Sequence, residues 1–150
     1  MVDQTKLTTV QKLYVGVQLI NPLLRSITLR VEADLHGTGI SVGQRAILDV
    51  LLTKKKATAP EITRILQLKR QFVGRELKEL IQNEMVQSEP NPEHKRAHFH
   101  SLTKKSEAVI REIRAREMEE FTAFANRFTP EEIDAFYRIQ KTLNEEMMPS

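Results

Sequence analysis

Residues 58–82 read TAPEITRILQLKRQFVGRELKELIQ. Thr58-Ala59-Pro60-Glu61 has the form of a helix start. A threonine stands at N-cap, a proline sits in the first turn where a missing donor does little harm, and a glutamate three residues on can reach back to complete a capping box. Ile62, Ile65 and Leu66 then give a short helix one apolar face. After only Gln67-Leu68-Lys69-Arg70 the period resumes with Phe72 (or Val73), Leu77, Leu80 and Ile81. Two short helices joined by a tight connection form the helix-turn-helix pattern. The second of them carries Lys69, Arg70, Gln71, Arg75 and Lys78 on the side away from Leu77 and Leu80. Lys69 and Arg70 fall near its N-terminus, where a cation opposes the helix macrodipole unless phosphates come close. Arginine and glutamine are also the side chains that read guanine and adenine in a major groove. Gly74, mid-helix, costs about 1 kcal/mol relative to alanine. Two explanations stay open for it: close approach to DNA, or tight packing on the preceding helix.

Downstream, Asn83-Glu84 ends this helix, and Val86 to Glu89 and Ala97 to Leu102 are short strands. Between them lies Pro90-Asn91-Pro92-Glu93-His94-Lys95-Arg96, rich in turn formers and basic at its tip. The reading is a β-hairpin wing presenting Lys95 and Arg96. His98 and His100 share a strand face, and with His94 they can form a three-nitrogen metal site completed by Glu89 or Glu93. The alternative is a wing surface whose imidazoles lie near DNA. One flexible hairpin is a poor cage, so no metal and no cofactor is expected.

Upstream, Leu7, Val10, Leu13, Val17, Ile20, Leu24, Ile27, Val31 and Leu35 recur every three or four residues. They predict an amphipathic helix of about 30 residues, kinked or split by Pro22. Its stripe is too long for one small core. His36-Gly37-Thr38-Gly39 breaks it, and Ser41-Val42-Gly43-Gln44 forms a second capping box. Ala46, Ile47, Val50 and Leu51 face the core of the next helix, which ends at Lys54-Lys55-Lys56. From Thr103 the helical period returns through Val109, Ile113, Met118, Phe121, Phe124 and Ala125. Thr129-Pro130-Glu131-Glu132 opens a last helix with Ile133, Phe136, Ile139 and Leu143. The predicted order is four helices, a hairpin, then two helices, with no internal repeat.

Composition narrows the function. A chain of 150 residues, 40% hydrophobic and 29% charged, fits one compact domain or one subunit of a small dimer. The absence of cysteine excludes disulfides, thiolate metal sites and thiol redox sensing. With 5% aromatic residues and no Trp, stacking platforms for single strands are not expected. Charge is unevenly placed: residues 1–53 carry five Lys/Arg and four Asp/Glu, residues 54–105 twelve and six, residues 106–150 six and ten. A basic middle favours an anionic partner, nucleic acid first. No phosphate-binding glycine loop, Gly-x-Ser-x-Gly elbow or His-Glu-x-x-His is present, so an enzyme is not expected. Met1 to Thr9 is polar and the apolar-leaning Leu13 to Leu24 is interrupted by Gln18, Asn21 and Pro22. Neither a leader nor a membrane span is expected, and the expected location is the cytoplasm.

The order of these elements resembles the MarR family of winged helix-turn-helix transcription regulators over nearly the whole chain. Gln44 through Leu51 looks like that family's glutamine-then-leucine stretch. Val73-Gly74-Arg75-Glu76-Leu77-Lys78-Glu79-Leu80 is similar to its recognition-helix core, with Arg75 at a DNA-contacting position. Lys95-Arg96, then Leu102-Thr103 six residues after the arginine, matches its wing and the start of its fifth helix. The chain departs from the pattern at Gly74 (usually Thr), Glu84-Met85-Val86 (often Gly-Leu-Val), His94 (usually Asp) and Ser106 (usually Gly).

The resemblance implies a mainly α fold with a small β-hairpin wing, dimerised by its N- and C-terminal helices. Residues 1–36 would form the N-terminal dimerisation helix, 41–102 the winged DNA-binding lobe and 103–150 the C-terminal dimerisation helices. The partners implied are a second copy of the chain, a pseudo-palindromic DNA operator with half-sites about one turn apart, and a small-molecule effector that releases a repressor. Lys69, Arg70, Gln71, Gly74, Arg75 and Lys78 would meet the major groove. Lys95 and Arg96 would reach the minor groove or backbone, and Lys54, Lys55 and Lys56 would add phosphate contacts. Arg25, His36 and Arg45 are the candidate ligand-binding residues, suited to an anionic aromatic acid or acyl thioester. The alternatives are a metal-responsive regulator using the wing histidines and a protein-interaction module.

Overall fold

The computed structural model describes residues 6–149. Its elements are α1 (Thr9–Gln18), α2 (Ile20–Asp34), α3 (Val42–Lys54), β1 (Lys56–Thr58), α4 (Ala59–Leu66), α5 (Arg70–Gln82), β2 (Val86–Glu89), β3 (Phe99–Leu102), α6 (Lys104–Ala125) and α7 (Pro130–Met147). The chain divides into two compact units, residues up to 107 and residues from 108 on.

In the first unit the long N-terminal helix is split at Leu19, which is the C-cap of α1 and the N-cap of α2. The cause lies three residues further on. Pro22 has no N–H to give the carbonyl of Gln18, and its ring crowds that turn. The ladder resumes with Leu23 N–H donating to the Leu19 carbonyl at 3.1 Å. Past α2, Gly37 (φ 82°) and Gly39 (φ 76°) take left-handed conformations. Between them the Thr38 hydroxyl donates to the Leu35 carbonyl at 2.6 Å, closing the turn.

α3 begins with the full capping box: Gln44 N–H donates to Ser41 Oγ at 3.1 Å and Ser41 N–H to Gln44 Oε1 at 3.1 Å. It ends at Lys55, a non-glycine residue at φ 69°. The next three residues form β1, a strand absent from the sequence reading because three residues cannot display a period of two. Thr58 caps α4, accepting from Glu61 N–H at 3.3 Å, while the Glu61 carboxylate lies 3.9 Å from Lys54 Nζ.

The core of this unit is Ile47, Leu48 and Leu51 of α3, Ile62 of α4, and Val73, Leu77 and Leu80 of α5, each no more than 3% exposed. Burying each such side chain contributes about 1.5–3 kcal/mol. Val73 is thus the core residue at the start of α5, and Phe72 is half-buried. Ile65, expected on the core face, is exposed. The wing is a three-stranded antiparallel sheet in the order β1-β3-β2, with Ala57 and Ser88 flanking His100 on either side. β3 starts at Phe99, two residues later than the periodicity suggested. Thr103 Oγ1 accepts from Ser106 N–H at 3.2 Å and so caps the start of α6.

In the second unit Thr129 caps α7 through a reciprocal box with Glu132. Met118, Phe121, Phe124, Phe128, Phe136 and Tyr137 are all exposed. No helix among the described residues is long and apolar enough to cross a membrane.

Candidate nucleic-acid interface

α5 points Val73, Leu77 and Leu80 into the core, so its other face is fixed by the 3.6-residue period. Lys69, Arg70, Gln71, Gly74, Arg75 and Lys78 are all exposed there. Lys69 is the N-cap, in extended conformation, and makes no side-chain cap hydrogen bond. Gly74 resolves in one direction: a Cβ built on it meets nothing within 4 Å. It does not pack against a neighbouring helix, and its missing side chain leaves the exposed face of α5 flat between Arg70 and Lys78.

Arg75 makes two contacts through its head group. Its guanidinium lies 5.5 Å from the Phe72 ring centroid, and its Nε is 3.6 Å from Glu76 Oε1. The other Glu76 oxygen, Oε2, accepts from Gln44 Nε2 at 2.9 Å. A chain of contacts therefore runs from the α3 cap through Gln44 and Glu76 to Arg75. Phe72 closes the same corner: a Cβ on Gly43 would stand 2.6 Å from Phe72 Cζ. Neither Gln44–Glu76 nor Gly43–Phe72 was foreseen from sequence, because both join residues about 30 positions apart.

A hollow of about 720 Å³ lies between α4, the first residue of α5 and the wing. Arg64, Arg70 and Arg96 line it together with Thr63, His98 and His100, and no carboxylate does. Thr63 Oγ1 and His100 Nδ1 are buried with no hydrogen-bond partner. Burial and the neighbouring His98 hold the His100 imidazole below its ordinary pKa. Arg64 and Thr63 escaped the sequence reading; the signal available was the outward face of α4. Lys95 is exposed in the wing turn. Lys54 and Lys56 each stand near a carboxylate, Glu61 at 3.9 Å and Glu89 at 3.7 Å.

The three wing histidines do not form the cage that their spacing allowed. His98 precedes β3 and is exposed, His100 is buried in its middle, and His94 is exposed in the turn. Among the described residues no three His, Asp or Glu side chains are arranged to hold a metal ion. The suggested ligand residues are also dispersed. Arg25 is exposed on α2, and Arg45 is nearly buried with its Nε 3.1 Å from Asp49 Oδ2. His36 lines a second hollow of about 630 Å³ with Glu32, Phe72 and Glu76; neither Arg25 nor Arg45 lines it.

A MarR family profile matches residues 38–97, from the turn before α3 to the wing turn before β3. The crystal structure of a MarR family transcription regulator is 40% identical, covers 91% of this chain and 90% of its own, and superposes with a TM-score of 0.81. The chain belongs to the MarR family. More distant structures share the fold. FabT of Streptococcus pneumoniae, solved with DNA, is 17% identical, covers 89% of this MarR chain and 96% of its own, and has a TM-score of 0.77. MepR of S. aureus, also solved with DNA, is 14% identical, with coverages of 87% and 96% and a TM-score of 0.75. No curated protein sequence matches significantly. Within the family frame, α4 and α5 are the helix-turn-helix and β2–β3 the wing.

Proposed function

We propose that this MarR family member is a cytoplasmic, homodimeric, sequence-specific DNA-binding regulator, a repressor released by a small molecule. One observation carries the reading. The exposed basic face of α5 and the wing arginine Arg96 border a hollow lined by three guanidiniums and no carboxylate. A duplex presents one phosphate charge per about 1.7 Å of axis, and this is the surface that would neutralise it. α5 would enter the major groove with Gln71 and Arg75 toward base edges and Lys69, Arg70 and Lys78 toward phosphates. Lys95 and Arg96 would reach the minor groove or backbone. The structures of FabT and MepR with DNA support the assignment.

Dimerisation rests on the exposed apolar side chains of the terminal helices. Val10, Tyr14, Leu23, Leu24, Ile27, Phe121 and Phe136 are all at least 43% exposed, a concentration that a monomer rarely leaves in water. A two-fold dimer would present two copies of α5 to successive major grooves. The hollow containing His36 adjoins Phe72 and Glu76 and is the place where an effector would bias α5.

The test is fluorescence anisotropy with the DNA upstream of the protein's own gene against scrambled DNA, at several salt concentrations. Tight, sequence-dependent binding at two chains per site is expected, with a log–log salt slope of about −0.9 per phosphate contact. No affinity above the non-specific level on that DNA or on fragments selected genome-wide would favour a protein-interaction module instead.

A further inference from the structure

The hollow bordered by α4, α5 and the wing contains two features that a merely basic surface lacks. It is lined by His98 and His100 beside Arg64, Arg70 and Arg96, and two of its lining residues keep buried polar atoms, Thr63 Oγ1 and His100 Nδ1, without partners. His100 is 9% exposed and sits on the central strand β3, opposite Ala57 of β1 and Ser88 of β2. An orphaned polar atom in such a place is costly unless something arrives to satisfy it. We propose that this hollow seats a phosphate of the DNA backbone, with Thr63, Arg64 and His98 joining Arg70 and Arg96, and that filling it protonates the His98–His100 pair. DNA binding is then coupled to proton uptake. The inference rests on the DNA-binding reading above and adds to it a class of contact and a pH dependence.

The coupling is electrostatic. In the free protein the charged residues that line the hollow beside the two imidazoles are all positive, Arg64 from α4, Arg70 from α5 and Arg96 from the wing, and His98 acts on His100 in the same sense. The sheet neighbours Ala57 and Ser88 carry no charge. Burial adds to this by disfavouring the imidazolium of His100. A phosphate in the hollow reverses the sign of the field and supplies acceptor oxygens for the Thr63 hydroxyl and for an imidazole N–H. The imidazole pKa values therefore rise on binding. By linkage, a site whose pKa rises on binding takes up protons and makes affinity increase as pH falls. A rise of one unit in one imidazole corresponds to about a tenfold gain in affinity at low pH.

Backbone phosphates are contacted in non-specific complexes too, so any labelled 30-base-pair duplex at low salt serves as the probe. Titration calorimetry near pH 6.5 in buffers of different ionisation enthalpy reads the protons taken up, and anisotropy from pH 8 to pH 5.5 reads the affinity. Net uptake and tightening toward low pH are expected for the unmodified chain. His98→Gln and His100→Gln should each remove part of both, while His94→Gln, altered in the wing turn, should keep them. Should His100→Gln fail to fold, the imidazole C–H resonances of the unmodified protein, titrated with and without duplex, read the same quantity. A rise in two of the four histidine pKa values supports the proposal, and unchanged values overturn it. Duplex binding with no proton uptake, or with uptake that survives in both variants, overturns this inference alone. Absence of duplex binding overturns the DNA-binding reading along with it.

Discussion

Arg75, proposed as a base reader, is an exposed side chain with two contacts of its own. Its guanidinium lies near the Phe72 ring and Glu76, so fewer rotamers would remain to be frozen on meeting a base. Arg75→Ala is expected to weaken operator binding by about 5- to 150-fold, since a bidentate arginine–guanine pair discriminates by about 1–3 kcal/mol. The same variant should leave the sedimentation coefficient unchanged; an unaltered operator affinity would remove Arg75 from the interface. Gly74, one position earlier, argues the opposite way for stability. Nothing stands within 4 Å of where its Cβ would be, so Gly74→Ala should raise the thermal unfolding midpoint, its helix propensity improving by about 1 kcal/mol. Operator affinity should fall in that variant. A more stable protein with unchanged affinity would place Gly74 outside the contact surface.

At the scale of elements, α3 and α5 are joined by one buried polar contact. Gln44 closes its own helix cap and donates to Glu76, whose side chain is 11% exposed. Gln44→Leu would open the cap and leave a nearly buried carboxylate short of a donor. A loss of about 1–3 kcal/mol is expected in urea unfolding; a neutral result would mean that Arg75 alone suffices for Glu76. The wing sheet makes a prediction about pH. His100 has a folded pKa below the unfolded value of 6.5, for burial first and the charge of His98 second. Between those two values the unfolded chain binds more protons, so stability rises with pH there. The stabilising effect is complete above about pH 6.5 and is lost as pH falls through the window below it. Comparing unfolding midpoints at pH 7.5 and 5.5 for the unmodified chain and His100→Gln isolates the effect; the variant should lose less on acidification.

For the whole molecule the decisive property is the apolar surface left on the terminal helices. Phe121, Phe136 and Tyr137 are each more than 60% exposed, as is Met118. Covering side chains of that size contributes about 1.5–3 kcal/mol apiece, enough for a few of them to hold two chains together. Sedimentation equilibrium is expected to give twice the 17.3 kDa chain mass. Phe136→Glu should shift that equilibrium toward single chains and weaken operator binding with it. A Phe136→Glu protein that remains dimeric would exclude α7 from the interface.

What the sequence alone determined is everything set within a few turns of chain. The three capping boxes or caps at Ser41, Thr58 and Thr129 stand where the short motifs put them, because an N-cap needs only residues three apart. The split at Pro22, the exposed basic face of α5 and the wing hairpin were legible for the same reason: local sterics and hydrophobic period dictate them. The order of these pieces was sufficient to indicate the MarR family. Only the tertiary structure decided what distant segments do to one another. β1 exists because β3 offers it hydrogen bonds, Gly43 leaves room for the Phe72 ring beside it, and Arg45 pairs with Asp49 one turn on. The arginine-lined hollow likewise gathers Arg64, Arg70 and Arg96 from three elements. Such contacts depend on how amphipathic faces pack in three dimensions, and periodicity along one dimension carries no information about which face meets which.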